Sequence, residues 1–369
     1  MGQPALPAKL KVLVAPLDWG LGHATRCIPV IRELLSAGVE VIIATEGKQQ
    51  NLLMSEFPQL TFLPLKGYRI KYARTRLTLT ASILSQIPKI ISAISYERKW
   101  LQETIKKYNI GGVISDNRYG LSNSKIHSVI LTHQLLIKTP LGKLVDRILQ
   151  KINYKYINQF DECWVPDDNG SLNLAGKLSH PKILPKIPVT YIGALSRFQL
   201  TRKDIQTHYL LVLLSGPEPQ RTLLEKKLLH QIREYQQPVF FIRGLPGNTD
   251  LPVVPRHVKI VNHLQSFTLQ KAIEQATYIV SRCGYSTLMD VMALQKKSIL
   301  IPTPGQTEQE YLAQHAMNNG VALCIPQYKF KLKNALNLAD NFNYRIDEFS
   351  SEKKVSVAVN ALLTQLRKK

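Results

Sequence analysis

Cysteine is scarce in this chain. Four stand among 369 residues, Cys27, Cys163, Cys283 and Cys324, far apart and with no CxxC spacing. That excludes a zinc ribbon, argues against a disulfide framework and points to a reducing compartment. Also missing is any run of 18 or more apolar residues, so no membrane-spanning helix is expected. The start, MGQPALPAKLKVLVAPLDWG, lacks the charged region and long apolar run of a signal segment and passes straight into a strand-like stretch. Acidic residues are few, 26 against 48 Lys and Arg, for a net charge of +22. The imbalance is not confined to a tail: residues 1–200 hold 26 basic and 13 acidic residues, and the remainder 22 and 13. Such a body should attract polyanions, nucleotides or an anionic membrane face. With 44% apolar residues the chain has material for a large core, and disorder throughout is excluded.

What is present is an alternation. Residues 9–16 (KLKVLVAP) form a short β-rich run ending in a loop, Leu17 to His23. Cys27, Ile28, Val30, Ile31, Leu34 and Leu35 then recur at the spacing of one helical face, with Pro29 expected in the first turn and Gly38 at the helix stop. A second strand, residues 39–44, follows at once. Similar runs recur at 112–115, 128–132, 163–166 and 189–192. The pattern restarts at 208–214 and continues at 239–242, 258–261, 278–281, 298–302 and 322–325, with helices expected over 220–236, 286–294 and 307–319. Two αβ series of near-equal length predict an α/β fold of two doubly wound, Rossmann-like domains facing across a cleft. The joint is expected around residues 193–204, giving domains of 1–197 and 198–369, the last helix packing back on the first. One stretch departs from the alternation. Residues 66–107 carry ten basic and two acidic residues interleaved with Leu77, Leu79, Ile83, Leu84, Ile87, Ile90, Ile91 and Ile94. It reads either as a solvated amphipathic insert or as a surface resting on anionic headgroups.

Ligands of open parallel sheets bind beyond the carboxyl ends of the strands, so the loops there carry the chemistry. Gly20-Leu21-Gly22-His23-Ala24-Thr25-Arg26 lets backbone approach a ligand at a helix N-terminus, where anions are favoured. It is not a dinucleotide fingerprint, since Thr25 stands at the sixth position, and no GKS or GKT phosphate loop occurs. His23 carries the side chain type suited to base work near neutrality. A second loop, Ser281-Arg282-Cys283-Gly284-Tyr285-Ser286-Thr287, again joins strand to helix and could cradle a diphosphate, with Asp290 one turn on for ribose hydroxyls. As ordinary helix-terminus chemistry the same carboxylate needs no ligand. The third, residues 302–310 (PTPGQTEQE), opens a helix with a polar, hydroxyl-binding cluster.

Together, RCGYSTLMD at 282–290, Ile301-Pro302 and Glu308-Gln309-Glu310 resemble the donor-nucleotide signature of GT-B glycosyltransferases. The likeness is closest to glycosyltransferase family 28, typified by the peptidoglycan N-acetylglucosaminyltransferase. Gly20–Arg26 resembles that family's first glycine-histidine loop, and the segments at 115–117 and 132–134 fall at its cleft-lining loops. Gly193-Ala194-Leu195-Ser196-Arg197 resembles its interdomain segment, and Ser215-Gly216-Pro217 its first C-domain phosphate loop. The resemblance implies that His23 or Asp116 deprotonates the acceptor and that Asn117, His133 and Gln134 line the acceptor side. It implies the base held near His263 and Leu264, the ribose at Asp290, and the diphosphate at Arg197, Ser215, Gly216, Gly284, Tyr285, Ser286 and Thr287, with Gly20, Gly22 and Arg282 also in the nucleotide-sugar site. Glu308, Gln309 and Glu310 would bind hydroxyls of the transferred sugar. No DxD motif is needed, because basic groups and helix N-termini can stand in for a metal on the leaving diphosphate. The loop SGPEPQ lacks the family's richer glycine run, Glu310 stands where a glutamine is usual, and the first loop ends ATR without the family's proline.

The resulting expectation is a hexosyltransferase that moves a hexose or N-acetylhexosamine from a UDP-sugar to an acceptor hydroxyl, inverting, with no cofactor and no metal. The acceptor is expected to be lipid-linked, and the enzyme cytoplasmic or peripheral at the inner face of the membrane. Three alternatives stay open at this point. Gly22-His23-Ala24-Thr25-Arg26-Cys27 also resembles the GHxxRC loop of nucleotide-sugar hydrolases of the pseudaminic acid pathway. A nucleotide-sugar 2-epimerase shares the fold. A non-catalytic nucleotide- or nucleic-acid-binding protein would suit the charge, although no recognition-helix, RNP or stacking pattern accompanies it.

Overall fold

The structure is a computed structural model and describes residues 10–69, 86–170, 172–200, 208–346 and 351–368. Part of the expected basic insert (residues 70–85, with Leu77, Leu79, Ile83 and Leu84) and part of the expected joint (201–204) lie outside these residues. The first series runs β1 (Lys11–Pro16), α1 (Leu21–Ser36), β2 (Glu40–Thr45), α2 (Gly47–Glu56), β3 (Thr61–Pro64), α3 (Ile87–Tyr108), β4 (Gly112–Asp116), β5 (His127–Leu131), α4 (Lys143–Ile157), β6 (Glu162–Val165) and β7 (Val189–Tyr191). The second runs β8 (Tyr209–Leu213), α5 (Gln220–Ile232), β9 (Val239–Ile242), β10 (Val258–Val261), α6 (Ser266–Glu274), β11 (Ala276–Arg282), α7 (Tyr285–Ala293), β12 (Ser298–Ile301), α8 (Thr307–Asn318), β13 (Leu323–Cys324), α9 (Leu332–Asp340) and α10 (Ser351–Lys368).

Two parallel sheets result, ordered β3-β2-β1-β4-β5-β6-β7 and β10-β9-β8-β11-β12-β13. Their central strands are continuous apolar runs because helices cover both faces and every side chain of the run is buried. Val12, Leu13, Val14 and Ala15 of β1 show this, and so does all of β12. Strand β3 was not anticipated. It is a four-residue edge strand with an alternating, mostly exposed pattern ending in proline, which carries little strand signal. Helix α1 starts six residues earlier than the apolar spacing alone suggests. Gly20, at φ +82°, turns the chain at its N-terminus, so Pro29 sits inside the helix rather than in its first turn. Gly38, at φ +78°, follows the C-cap as expected.

One apolar core runs across both sheets. It contains Ala24, Cys27, Ile28 and Ile31 of α1 together with Tyr285, Leu288, Met289 and Met292 of α7 and Leu312 and Ala316 of α8. Helix α10 closes it from the far end of the chain: Val355, Val359, Leu362 and Leu363 join the same cluster, and Leu366 lies against Gly112 of β4. Any side chain larger than hydrogen at Gly112 would meet the Leu366 methyls at 2.9 Å. No helix among the described residues is long and apolar enough to cross a membrane.

Because α10 seals a core shared by both sheets, Leu362→Ala should lower the unfolding free energy by about 2–5 kcal/mol. Urea denaturation followed by tryptophan fluorescence reads this directly; an unchanged midpoint would mean that α10 does not contribute to that core.

Candidate active site at the domain junction

In each sheet the strand order reverses beside the first strand, between β1 and β4 and between β8 and β11. β1 ends with Pro16 opposite Asp116, and β8 and β11 end side by side at Leu213 and Ser281. The loops leaving these two points face each other. Ser286 Oγ of α7 donates to Gly22 O at 3.1 Å, and a Cβ on Gly22 would stand 2.5 Å from that oxygen. Glycine at 22 is what lets the two helix N-termini approach.

On the first side, His23 and Arg26 lie one helical turn apart and share a face of α1. Both reach Asp116. Arg26 grips it with two nitrogens, Nε donating to Oδ2 at 2.9 Å and Nη2 to Oδ1. Burial alone would raise the Asp116 pKa, but Arg26 foremost and then His23 hold it down at about 2. His23 Nδ1 lies 3.1 and 3.2 Å from the two carboxylate oxygens. An ionised carboxylate only accepts, so this bond needs Nδ1–H and leaves the Nε2 lone pair unprotonated. His23 keeps 14% of its side-chain surface exposed and Asp116 none, so His23 is the member of the pair that can meet a ligand.

A second layer joins this group to the other domain. His133, after β5, takes a hydrogen bond on Nδ1 from Arg26 Nη1 at 3.0 Å and pairs Nε2 with Glu308 Oε1 at 2.8 Å. Gln134 Nε2 donates to the other Glu308 oxygen at 2.5 Å. The His133 ring stacks on Tyr285, with centroids 4.1 Å apart, and Tyr285 donates its hydroxyl to Pro166 O. Burial lowers the His133 pKa below that of free imidazole, although the Glu308 bond opposes it.

The remaining expected residues form a second group one turn along α7. Asp290 accepts from Ser196 Oγ at 2.7 Å, and burial pushes its pKa up to about 6 against the pull of Arg197. Arg197 donates to Ser266 Oγ at 3.2 Å and stacks its guanidinium 4.8 Å from the Phe198 ring centre, while its buried Nε has no hydrogen-bond partner. Burial, and then Arg197, lower the His263 pKa. Ser215 and Gly216 are exposed at the end of β8, Gly216 at φ +106°. A Cβ on Gly284, at the N-terminus of α7, would meet Thr287 Oγ1 at 3.8 Å, and no acidic residue stands in that helix's first turn. In the third loop Gln309 Oε1 accepts from Thr303 N and Glu310 Oε1 from Gly305 N, while Thr303 Oγ1 and Gln306 Oε1 are buried without partners.

Three expected contacts are placed otherwise. Arg282 is buried inside the second domain, donating to Gln220 O at 2.6 Å and Gln327 Oε1 at 2.7 Å, and burial lowers its pKa to about 10. It braces the start of α5, while its Nε is buried without a partner and its Cγ lies 4.0 Å from where a Cβ on Gly216 would stand. Tyr285 is committed to His133 and Pro166, as above. Glu308 has both oxygens on first-domain side chains. Asn117, at φ +55°, is buried with Oδ1 unpartnered. Leu264 lines a hollow of about 420 Å³ among Tyr209, Phe240 and Lys271. Arg26 was missed as a site residue, although its spacing from His23 could have found it. Among the described residues no three His, Cys, Asp or Glu side chains gather as a metal-binding group.

Residues 211–362 match the glycosyltransferase family 28 C-terminal domain. The UDP-N-acetylglucosamine--N-acetylmuramyl-(pentapeptide) pyrophosphoryl-undecaprenol N-acetylglucosamine transferase of Buchnera aphidicola subsp. Schizaphis graminum is 21% identical over 359 residues, covering 94% of each chain. Among solved structures, the glycotransferase of kitacinnamycin is similar at a TM-score of 0.64 and 14% identity, over 98% of this chain and 96% of that one. MurG of Acinetobacter baumannii is similar at 0.52 and 13%, over 97% and 98%. The shared architecture is the GT-B fold.

Asp290 yields a stability prediction with a definite sign. Its folded pKa is raised, so the folded state binds more protons than the unfolded chain between about pH 4 and the folded value of about 6. Stability from this group therefore falls as pH rises through that window. In urea titrations between pH 4 and 7, Asp290→Asn should flatten the decline; an identical slope would place the Asp290 carboxyl in water.

Proposed function

We propose that this protein, whose residues 211–362 match the glycosyltransferase family 28 C-terminal domain and whose fold is GT-B, is a glycosyltransferase that moves a hexose or N-acetylhexosamine from a UDP-sugar to a hydroxyl of a lipid-linked acceptor. The observation that carries this reading is the meeting of the His23–Asp116 pair with the α7 N-terminus across the Gly22–Ser286 contact. One side of the junction offers a base, the other a place for an anion.

In this mechanism His23 Nε2 takes the proton of the acceptor hydroxyl as its oxygen attacks the anomeric carbon. The bond from that carbon to the diphosphate oxygen breaks with inversion, and the diphosphate leaves with the electron pair. Asp116 is not the base, because Arg26 and His23 hold it as a carboxylate against its burial and it has no exposed surface. It orients His23 and stabilises the imidazolium that forms. The unpartnered Nε of Arg197 and the N–H groups at the start of α7, with Ser286 and Thr287, meet the leaving diphosphate. Asp290 takes the ribose, and the loop bearing Thr303, Gln306, Gln309 and Glu310 takes sugar hydroxyls. This set of cations and helix N-termini requires no divalent ion.

A lipid-linked acceptor is supported by the surface of α4. Leu144, Ile148 and Ile152 form an exposed stripe, 72, 50 and 49% accessible, beside the exposed cations Lys143, Arg147, Lys151 and Lys155. Asn153 of the same helix donates to Gln134 O at 2.9 Å, so the stripe adjoins the acceptor side of the site. An apolar stripe flanked by lysines suits an anionic bilayer. On this reading α4, rather than the expected 66–107 segment alone, seats the enzyme at the inner face of the membrane. The Buchnera relative's name specifies a UDP-sugar donor and a pyrophosphoryl-undecaprenol acceptor, which supports both assignments. The convergence of His23, Arg26 and Cys27 on Asp116 would equally activate water, the hydrolase reading.

Free UDP measured from a panel of UDP-sugars separates the two. Release that depends on added membrane lipid extract supports the transferase, and equal release without it supports the hydrolase. His23→Ala should cut turnover by about 10²–10⁴-fold with UDP affinity preserved; retained turnover overturns the base assignment. Leu144→Glu with Ile148→Glu should abolish co-sedimentation with vesicles containing phosphatidylglycerol and raise the KM for lipid-linked acceptor. Undiminished sedimentation would remove α4 from the membrane face.

A further inference from the structure

Between Arg26 and Glu308, the hydrogen-bond chain that crosses the junction has only one consistent arrangement of protons. Arg26 can only donate, so His133 Nδ1 must accept from its Nη1. A neutral imidazole then carries its proton on Nε2, where Glu308 Oε1 stands 2.8 Å away to receive it. Gln134 fills the second Glu308 oxygen, and the Tyr285 ring holds the plane of His133. The other end of the same guanidinium is the sensitive one. Nη2 lies 2.9 Å from His23 Nδ1 while also bonding Asp116 Oδ1. If Nη2 donates to His23 Nδ1, the imidazole proton is displaced to Nε2 and the base is lost. If Nη2 donates to Asp116, Nδ1 keeps its proton, donates to the carboxylate, and Nε2 is free.

We infer that Glu308 and His133 are positioning residues that set the tautomer of His23 through Arg26. His133 anchors Nη1 and fixes the rotation of the fork, so that Nη2 addresses Asp116 rather than His23. Glu308 fixes the tautomer of His133 and belongs to the first turn of α8, on the other domain. The base is therefore held in its competent form only when the two domains meet. This inference rests on the reading of His23 as the base, but the quantity it predicts, the proton position on His23, is measured without any substrate.

The test is ¹⁵N NMR of the imidazole nitrogens of His23, assigned with His23→Gln, in the full chain without substrate. The wild type should show Nδ1–H. His133→Phe keeps the ring stacked on Tyr285 but removes both bonds, and should move the proton to Nε2. In turnover assays the same variant should lower kcat about tenfold or more while the KM for UDP-sugar stays within about twofold, where about tenfold corresponds to 1.4 kcal/mol. His133→Gln, which can still accept from Arg26 and donate to Glu308, should restore Nδ1–H and much of kcat. Glu308→Ala, on a partly exposed residue, should shift the tautomer as His133→Phe does, and decides the matter if the phenylalanine variant fails to fold. Nδ1–H retained in both His133→Phe and Glu308→Ala overturns the inference. A wild type that shows the tautomer coupling but releases no UDP would instead overturn the proposed function and leave the coupling standing.

Discussion

A carboxylate and a guanidinium, both withdrawn from water, anchor the arrangement. Asp116 has no exposed surface and Arg26 almost none, and each is acceptable there because the other is present. Removing one partner of such a pair typically costs about 3–5 kcal/mol, since the survivor is left charged and unpaired. That constraint fixes β4 against α1 at the point where the first sheet reverses its order. The imidazole of His23 rides on the same carboxylate, and His133 on the same guanidinium. Much of the polar machinery of the first domain is thus referred to one ion pair.

The two sheets repeat one order of strands, and this symmetry has a physical consequence. Each presents a strand end and a helix N-terminus at its reversal point, and the apolar core shared by α1, α7, α8 and α10 turns the two points toward each other. On the proposed function, one half supplies a base and the other a positive electrostatic surface, built from helix dipoles and from Arg197 rather than from many lysines. The +22 net charge of the chain adds a long-range attraction for anionic ligands and surfaces. Local chemistry and global charge favour the same kind of ligand.

Much of this was legible in the residues. The buried strands announced themselves as unbroken apolar runs, because parallel strands covered on both faces have no polar side to display. The loops at 20–26 and 281–287 were identifiable from glycine beside hydroxyl or imidazole at strand-to-helix turns. Elements whose signal is weak or shared escaped. β3 is a short exposed edge, and α4 spreads its apolar residues between a buried face and an exposed stripe. The fate of individual side chains was harder still. Arg282 and Tyr285 lie within the donor signature, yet both are buried, Arg282 bonded to Gln220 and Gln327 and Tyr285 bonded to Pro166 and stacked on His133. Those partners come from distant parts of the chain and leave no local trace. Glu308 likewise reads as a hydroxyl binder until His133 and Gln134, some 175 residues earlier, are seen to hold it.

The proposed function requires the two reversal points to form a single site, and a structure with a bound UDP-sugar tests that most directly. The diphosphate should lie between Arg197 and the start of α7, the ribose against Asp290, and the anomeric carbon should face His23 Nε2. A nucleotide seated instead in the 420 Å³ hollow beside Tyr209 and Lys271, with the junction unchanged, would contradict it.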